Sequence, residues 1–267
     1  MNQKNVEFLQ DQIKFTGFGE SMDGVLKDNI LKGEAEFKLN HEVKYGTDTV
    51  NATLNFKKSD QSDMYFFNSY KISLQKDDSK EALEQTFFIN KDNNITAKEA
   101  YNLMEGRSVN KDLKTKEGEA YNSWIQMDFK QADSNNGNFK LNHFHQNYGY
   151  DLESSLAKHP IKELENPMYK EDLINSLKKG NLQSVTFKID GTENKQFVEA
   201  NPHFKTINVY NEDKQRIRIS ESKDQKQGES EGKSMAKDSK QKQDAEDPES
   251  EGKAKSKTRK NKQSHSM

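Results

Sequence analysis

The sequence predicts an α+β fold, with mostly antiparallel sheets and a few flanking helices, in two modules followed by a disordered charged tail. Three observations carry this expectation. Apolar residues alternate with period two in consecutive runs joined by turn residues, so strands come as hairpins. Few segments adopt helical spacing, and few of those intervene between strands. Composition then changes abruptly, because all 25 aromatic residues lie at or before Tyr210.

The elements follow in order. Val6, Leu9 and Ile13 keep helical spacing with Phe8 and Phe15 beside them, and Gly17 and Gly19 stop that helix. A second short helix starts near Ser21, carries Val25, Leu26, Ile30 and Leu31, and ends at Gly33. The period then becomes two. Phe37, Leu39, His41, Val43 and Tyr45 face Val50, Ala52, Leu54 and Phe56 across a Gly46-Thr47-Asp48 turn. The run from Met64 to Leu74 is apolar on both parities over its first half, which predicts a central strand whose sheet is covered on both faces. A fourth strand covers about 83–89. Thr96 and Glu99 form a capping box, opening a helix that carries Ala100, Leu103 and Met104 and closes at Gly106. A fifth strand near 120–130 sets Tyr121, Ile125, Met127 and Phe129 on its buried parity.

The polar run Gln131–Asn138 is the expected internal boundary, giving modules at 1–133 and 138–218. In the second, Phe139–His145 reads as a short strand, and Asp151 caps a helix that ends before Pro160. Asn166 caps the next helix with Pro167 at its first position. Tyr169, Leu173 and Leu177 form its stripe, Lys178 and Lys179 meet its negative end, and Gly180 closes it. Val185, Phe187 and Ile189, the Asp190-Gly191 turn and a partner around 196–198 form a hairpin, and Ile207, Val209 and Tyr210 a last strand. A helix–Gly–strand unit occurs twice, at 30–39 and 176–187. From Ile219 to Met267 only Ile219, Met235 and Met267 are large and apolar. That is too little to offset chain entropy of ~1–2 kcal/mol per residue, so this tail is expected to be disordered.

Charge and composition exclude several function classes. The tail holds 12 Lys+Arg and 10 Asp+Glu, leaving residues 1–218 with 30 against 34, a net charge of −4. Such a body has no global field to steer it onto a phosphate backbone. Absent cysteine removes disulfides, thiolate metal sites and Cys nucleophiles. No apolar h-region opens the sequence and no window approaches the ~18 apolar residues of a membrane span, so a cytoplasmic location without membrane contact is expected.

Few residues suggest chemistry. His143 and His145 share a strand face, as in some zinc and iron sites, but no second ligand pair accompanies them, and they fit the polar rim of a strand whose inner positions are Phe139 and Leu141. Gly17-Phe18-Gly19 follows a helix rather than a strand, which suits a helix stop and not a phosphate loop. The motifs of P-loop NTPases, α/β-hydrolases and zincins are absent. No catalytic residue, cofactor or metal is predicted. Trp124 lies on the polar parity of its strand, so it is either covered by the chain's own helices or a partner contact. In the tail, Lys253, Lys255, Lys257, Arg259, Lys260 and Lys262 form a cluster without an acid, preceded by the acidic stretch 244–251. Such a cluster suits weak contact with nucleic acid, indifferent to sequence.

The strings FTGFGE (15–20), QSDMYFFNSY (61–70), NNITAKEAYNLMEGRSVNKDL (93–113), YNSWIQMDF (121–129), NYGYDLESSLAKHPIKEL (147–164), KKGNLQSVTF (178–187) and EANPHFKTINVY (199–210) occur together and in order. In these the chain resembles a family of uncharacterised proteins, a domain of unknown function, carried on conjugative transposons and plasmids of Bacteroidetes-type bacteria. The resemblance spans about 1–212, and from about Asn138 it extends to a segment of larger proteins of those elements. It implies a cytoplasmic protein of a mobile element and supplies no catalytic or binding residues. The expected function is a non-catalytic accessory protein acting through protein–protein contact. The alternatives are nucleic-acid association through the tail and an enzyme of unrecognised type.

Overall fold

The computed structural model describes residues 2–217 apart from 77–78, 80, 91–92 and 134. The tail, with its six clustered cations, lies outside the described residues. α1 (Gln3–Ile13), capped by Asn2, buries Val6, Leu9 and Ile13, and runs into a π-turn (Lys14–Phe18) broken at Gly17, φ +97°. α2 (Asp23–Lys32) buries Leu26 and Ile30 and closes on Gly33. A four-stranded antiparallel sheet follows in the order β1 (Glu36–Tyr45), β2 (Asp48–Lys58), β3 (Tyr65–Gln75), β4 (Leu83–Phe88). α3 (Ala97–Met104) carries the expected capping box.

β5 (Val109–Lys114), β6 (Ala120–Ala132) and β7 (Phe139–His145) form a second antiparallel sheet. α4 (Leu152–Leu156) and α5 (Pro167–Lys178) precede the third, made of β8 (Gln183–Ile189), β9 (Thr192–Asn201), β10 (Thr206–Tyr210) and β11 (Arg216–Ile217). The fold is therefore mixed α+β with antiparallel sheets, as composition and periodicity predict. The span Met1–Ser220 is one compact unit.

Three local readings are corrected. β3 is central, between β2 and β4, but only one of its faces is covered, and Phe66 on the other is 47% exposed. The mixed parity has a different cause. A bulge between Asn55/Ser69 and Phe56/Phe67 inserts one residue, so Tyr65 and Phe67 share a face with Tyr70, Ile72 and Leu74 despite opposite parity. That face carries aromatic pairs in register: Phe37 stacks on Phe56 at 4.9 Å, Phe56 on Phe67 at 5.0 Å and Tyr70 on Phe87 at 5.4 Å. Second, β5 is absent from the sequence reading, because VNKDLK shows only two widely spaced apolar residues. Third, Phe129, Tyr169 and Ile189, placed on buried stripes, are exposed near the ends of β6, α5 and β8.

The middle sheet separates two apolar clusters. Ile125 and Met127 of β6 enter the first, which α1, α2, α3 and the inner face of the first sheet complete. Trp124, of opposite parity, enters the second, built from α4, α5 and the third sheet. The polar run ends β6 at Ala132 and leads into β7 of the same sheet, with Asp133 N–H donating to Asn138 O at 2.8 Å.

α1 is fastened to the first sheet by one buried amide. Asn5 Nδ2 donates to Tyr65 O at 3.0 Å, and Tyr65 N–H donates to Asn5 Oδ1 at 2.8 Å. This side chain continues the ladder where β3 begins. Asn5→Ala orphans both backbone groups, and its expected cost is about 2–3 kcal/mol. Chemical unfolding checks it, and Asn5→Ala with wild-type stability would refute the fastening role.

Candidate partner-contact site

The sequence-predicted residues disperse. Trp124 is 6% exposed, and its indole meets Tyr150 edge-on at 5.3 Å inside the second cluster. Its polar-parity neighbours gave the correct facing, but the chain's own elements cover that face. Trp124 is not a surface contact. His143 and His145 sit with ring centroids 6.3 Å apart, and burial, then the neighbouring His145, holds the His143 imidazole below its usual range. Among the described residues, no group of three or more His, Asp or Glu side chains is placed to hold a metal ion. No helix among them is long and apolar enough to cross a membrane.

The cleft of about 660 Å³ beside α4 gathers carboxylates and lysines, yet their roles are structural. Lys170 pairs with Glu153, and Lys188 with Glu165 at 2.8 Å. Asp151 caps α4. The N–H and hydroxyl of Ser154 both donate to it, holding its carboxyl below the usual range.

A different arrangement stands out on α1. Its inner stripe is fixed by Val6, Leu9 and Ile13, which leaves the adjacent flank outward. On that flank Phe8 is 60% and Phe15 75% exposed. Phe8 stands on α1 and Phe15 in the π-turn that follows it, and the two rings open to the same side. Both rim a recess of about 520 Å³ against the 93–96 loop and β5. Its floor is polar and satisfied. Thr96 N–H and Oγ1–H donate to Glu99 Oε2 at 2.9 and 3.0 Å, and Lys111 Nζ lies 3.1 Å from the same oxygen. Glu99 and Lys111 are both largely buried, so this pair is screened little by salt.

Such a recess presents apolar edges over a closed ion pair. It offers two aromatic anchors to a complementary surface and no polarised nucleophile. The sequence placed Phe8 and Phe15 beside the buried stripe, and an aromatic pair at i, i+7 off that stripe was the available signal. No protein-family model, curated protein or solved structure matches this chain.

Proposed function

We propose that this chain is a non-catalytic accessory protein of a mobile genetic element, working in the cytoplasm by holding a partner protein through the Phe8–Phe15 recess. The observation that supports this is the aromatic pair itself. Two large rings more than half exposed over one recess are costly to leave in water, and aromatic residues are the anchors of binding hot spots. The mobile-element setting in this proposal rests on the sequence resemblance alone. A second reading is favoured by the six cations at 253–262: weak nucleic-acid contact through the tail, with a salt slope no steeper than ~−5.

The test is capture from cells carrying such an element. Phe8→Asp combined with Phe15→Asp is expected to abolish partner capture while shifting stability by no more than about 0.5 kcal/mol per site. Deleting 253–262 is expected to remove retention on a DNA column and leave that capture intact. Capture surviving the double substitution sinks the recess as the contact. DNA retention surviving the deletion moves nucleic-acid binding onto the body.

A further inference from the structure

A cleft of about 590 Å³ opens between the end of β1, α3 and the β10–β11 turn, away from the Phe8–Phe15 recess. Four cationic side chains reach it from distant stretches: Lys44 ending β1, Lys98 in the first turn of α3, Arg107 just beyond α3, and Lys214 in the β10–β11 turn. Among the described residues no carboxylate lines it. On a body of net charge −4 this is a local reversal of sign.

Two of these cations, Lys98 and Arg107, are held in place. Tyr45 and Tyr101 stack at 4.4 Å, and Lys98 Nζ sits 4.0 and 4.5 Å from their centroids. Arg107 lies 5.3 Å from the Tyr101 ring and donates from Nη2 to Asn102 Oδ1 at 2.8 Å. Asn102 is 1% exposed, and its amide donates to Lys179 O at 2.7 Å and Asn181 Oδ1 at 2.9 Å. Its carbonyl is therefore fixed toward the guanidinium. Arg107 Nε is buried without a hydrogen-bond partner. The nearby acids are engaged. Asp48 accepts from the Tyr101 hydroxyl at 2.9 Å, and Glu105 pairs with Lys76 at 2.8 Å while lying 3.6 Å from Arg107. Burial and then Arg107 lower the Lys98 ammonium from its usual range, and the Glu105 carboxylate offsets this only in part.

We propose that this cleft binds the phosphate monoester of a small molecule, with Arg107 as the oriented donor and Lys44, Lys98 and Lys214 as the surrounding charges. A monoester is close to dianionic at neutral pH and offers three acceptor oxygens, which suits a guanidinium beside several ammonium groups better than a single carboxylate does. The space exceeds what a phosphate group fills, so the rest of a small ligand enters against the Tyr45 and Phe197 walls. A duplex would press a run of phosphodiesters against a net-negative body, which argues for a small ligand.

Calorimetry on the full chain at constant ionic strength tests this, with inorganic phosphate, AMP, adenosine and acetate as probes. The expected result is one saturable site for both phosphate and AMP, and none for adenosine or acetate. AMP binding about tenfold or more tighter than phosphate identifies a phosphorylated organic ligand as the source, and equal affinity identifies free phosphate. Lys44→Gln with Lys214→Gln, both at exposed positions, is expected to weaken binding at least about fivefold with an unchanged melting temperature, and Arg107→Gln more strongly still. Acetate binding as tightly as phosphate overturns the proposal. So does unchanged affinity in the double lysine variant, which would place the contact elsewhere, the tail included.

Discussion

Gly180→Ala is expected to lower the melting temperature by roughly 10 °C, and Gly33→Ala by only about 3 °C. The two glycines occupy the same device: each ends a helix and leads into a strand, α2 into β1 and α5 into β8. Each also has positive φ, +75° at Gly33 and +77° at Gly180, so a side chain costs about 1–2 kcal/mol of backbone strain at either. Their surroundings differ. A Cβ at Gly33 meets nothing within 4 Å, whereas at Gly180 it meets Asn102 Cβ, Ser108 O and Val109 Cγ2, all at 3.0 Å. None of these is the free end of a flexible side chain. Asn102 is locked by its bonds to Lys179 and Asn181, and Val109 begins β5. The collision therefore adds an overpacking cost of about 1–3 kcal/mol at Gly180 alone. Thermal unfolding of both variants beside the wild type checks this, and drops of equal size would show that the close approach is not limiting.

That contrast shows how far the sequence reaches. Helix ends were legible because capping is local chemistry: Thr96 and Glu99, Asn166 and Pro167, and Gly33 and Gly180 announce the ends of α2, α3 and α5 within four residues of chain. The Asp190-Gly191 turn was legible for the same reason, both residues having positive φ. What surrounds Gly180 was not, since Asn102 and Val109 arrive from about 75 residues away. β3 shows the intermediate case. Its mixed parity was visible, but the bulge that produces it depends on the pairing with β2 and so on tertiary register. The Phe8–Phe15 pair was half legible, because its spacing is local while the open space beyond it is a property of the whole fold. The cationic cleft is the extreme case. Lys44, Lys98, Arg107 and Lys214 share no sequence pattern, and net charge conceals them.

Trp124→Ala is expected to destabilise the protein by about 3–5 kcal/mol, a fall in melting temperature of roughly 6–20 °C. The indole reaches from the middle strand of the middle sheet into the second cluster, where Leu156, Leu177 and Phe187 are fully or nearly fully buried. Removing it leaves a cavity that the flanking strands cannot collapse, because Asn110 and Phe144 hold register on either side of it. It also strips Tyr150 of its edge-on partner, while the Tyr150 hydroxyl stays tied to Thr206 O at 3.0 Å. Burial raises the Tyr150 phenol well above its usual range, consistent with a dry site around the indole. Trp124→Phe keeps an aromatic body in that space and is expected to lose less than half as much stability. Since Trp124 is the single tryptophan, its fluorescence reports this cluster alone. Emission from the native protein should be blue-shifted and resist quenching by acrylamide, then shift red on unfolding. Ready quenching in the folded state, or Trp124→Ala unfolding with the wild type, would return the indole to the surface and restore it as a candidate contact. A buried indole instead predicts that Trp124→Phe captures the partner protein as well as the wild type does. On the proposed function, partner recognition rests on Phe8 and Phe15, and Trp124 contributes only through the stability of the fold.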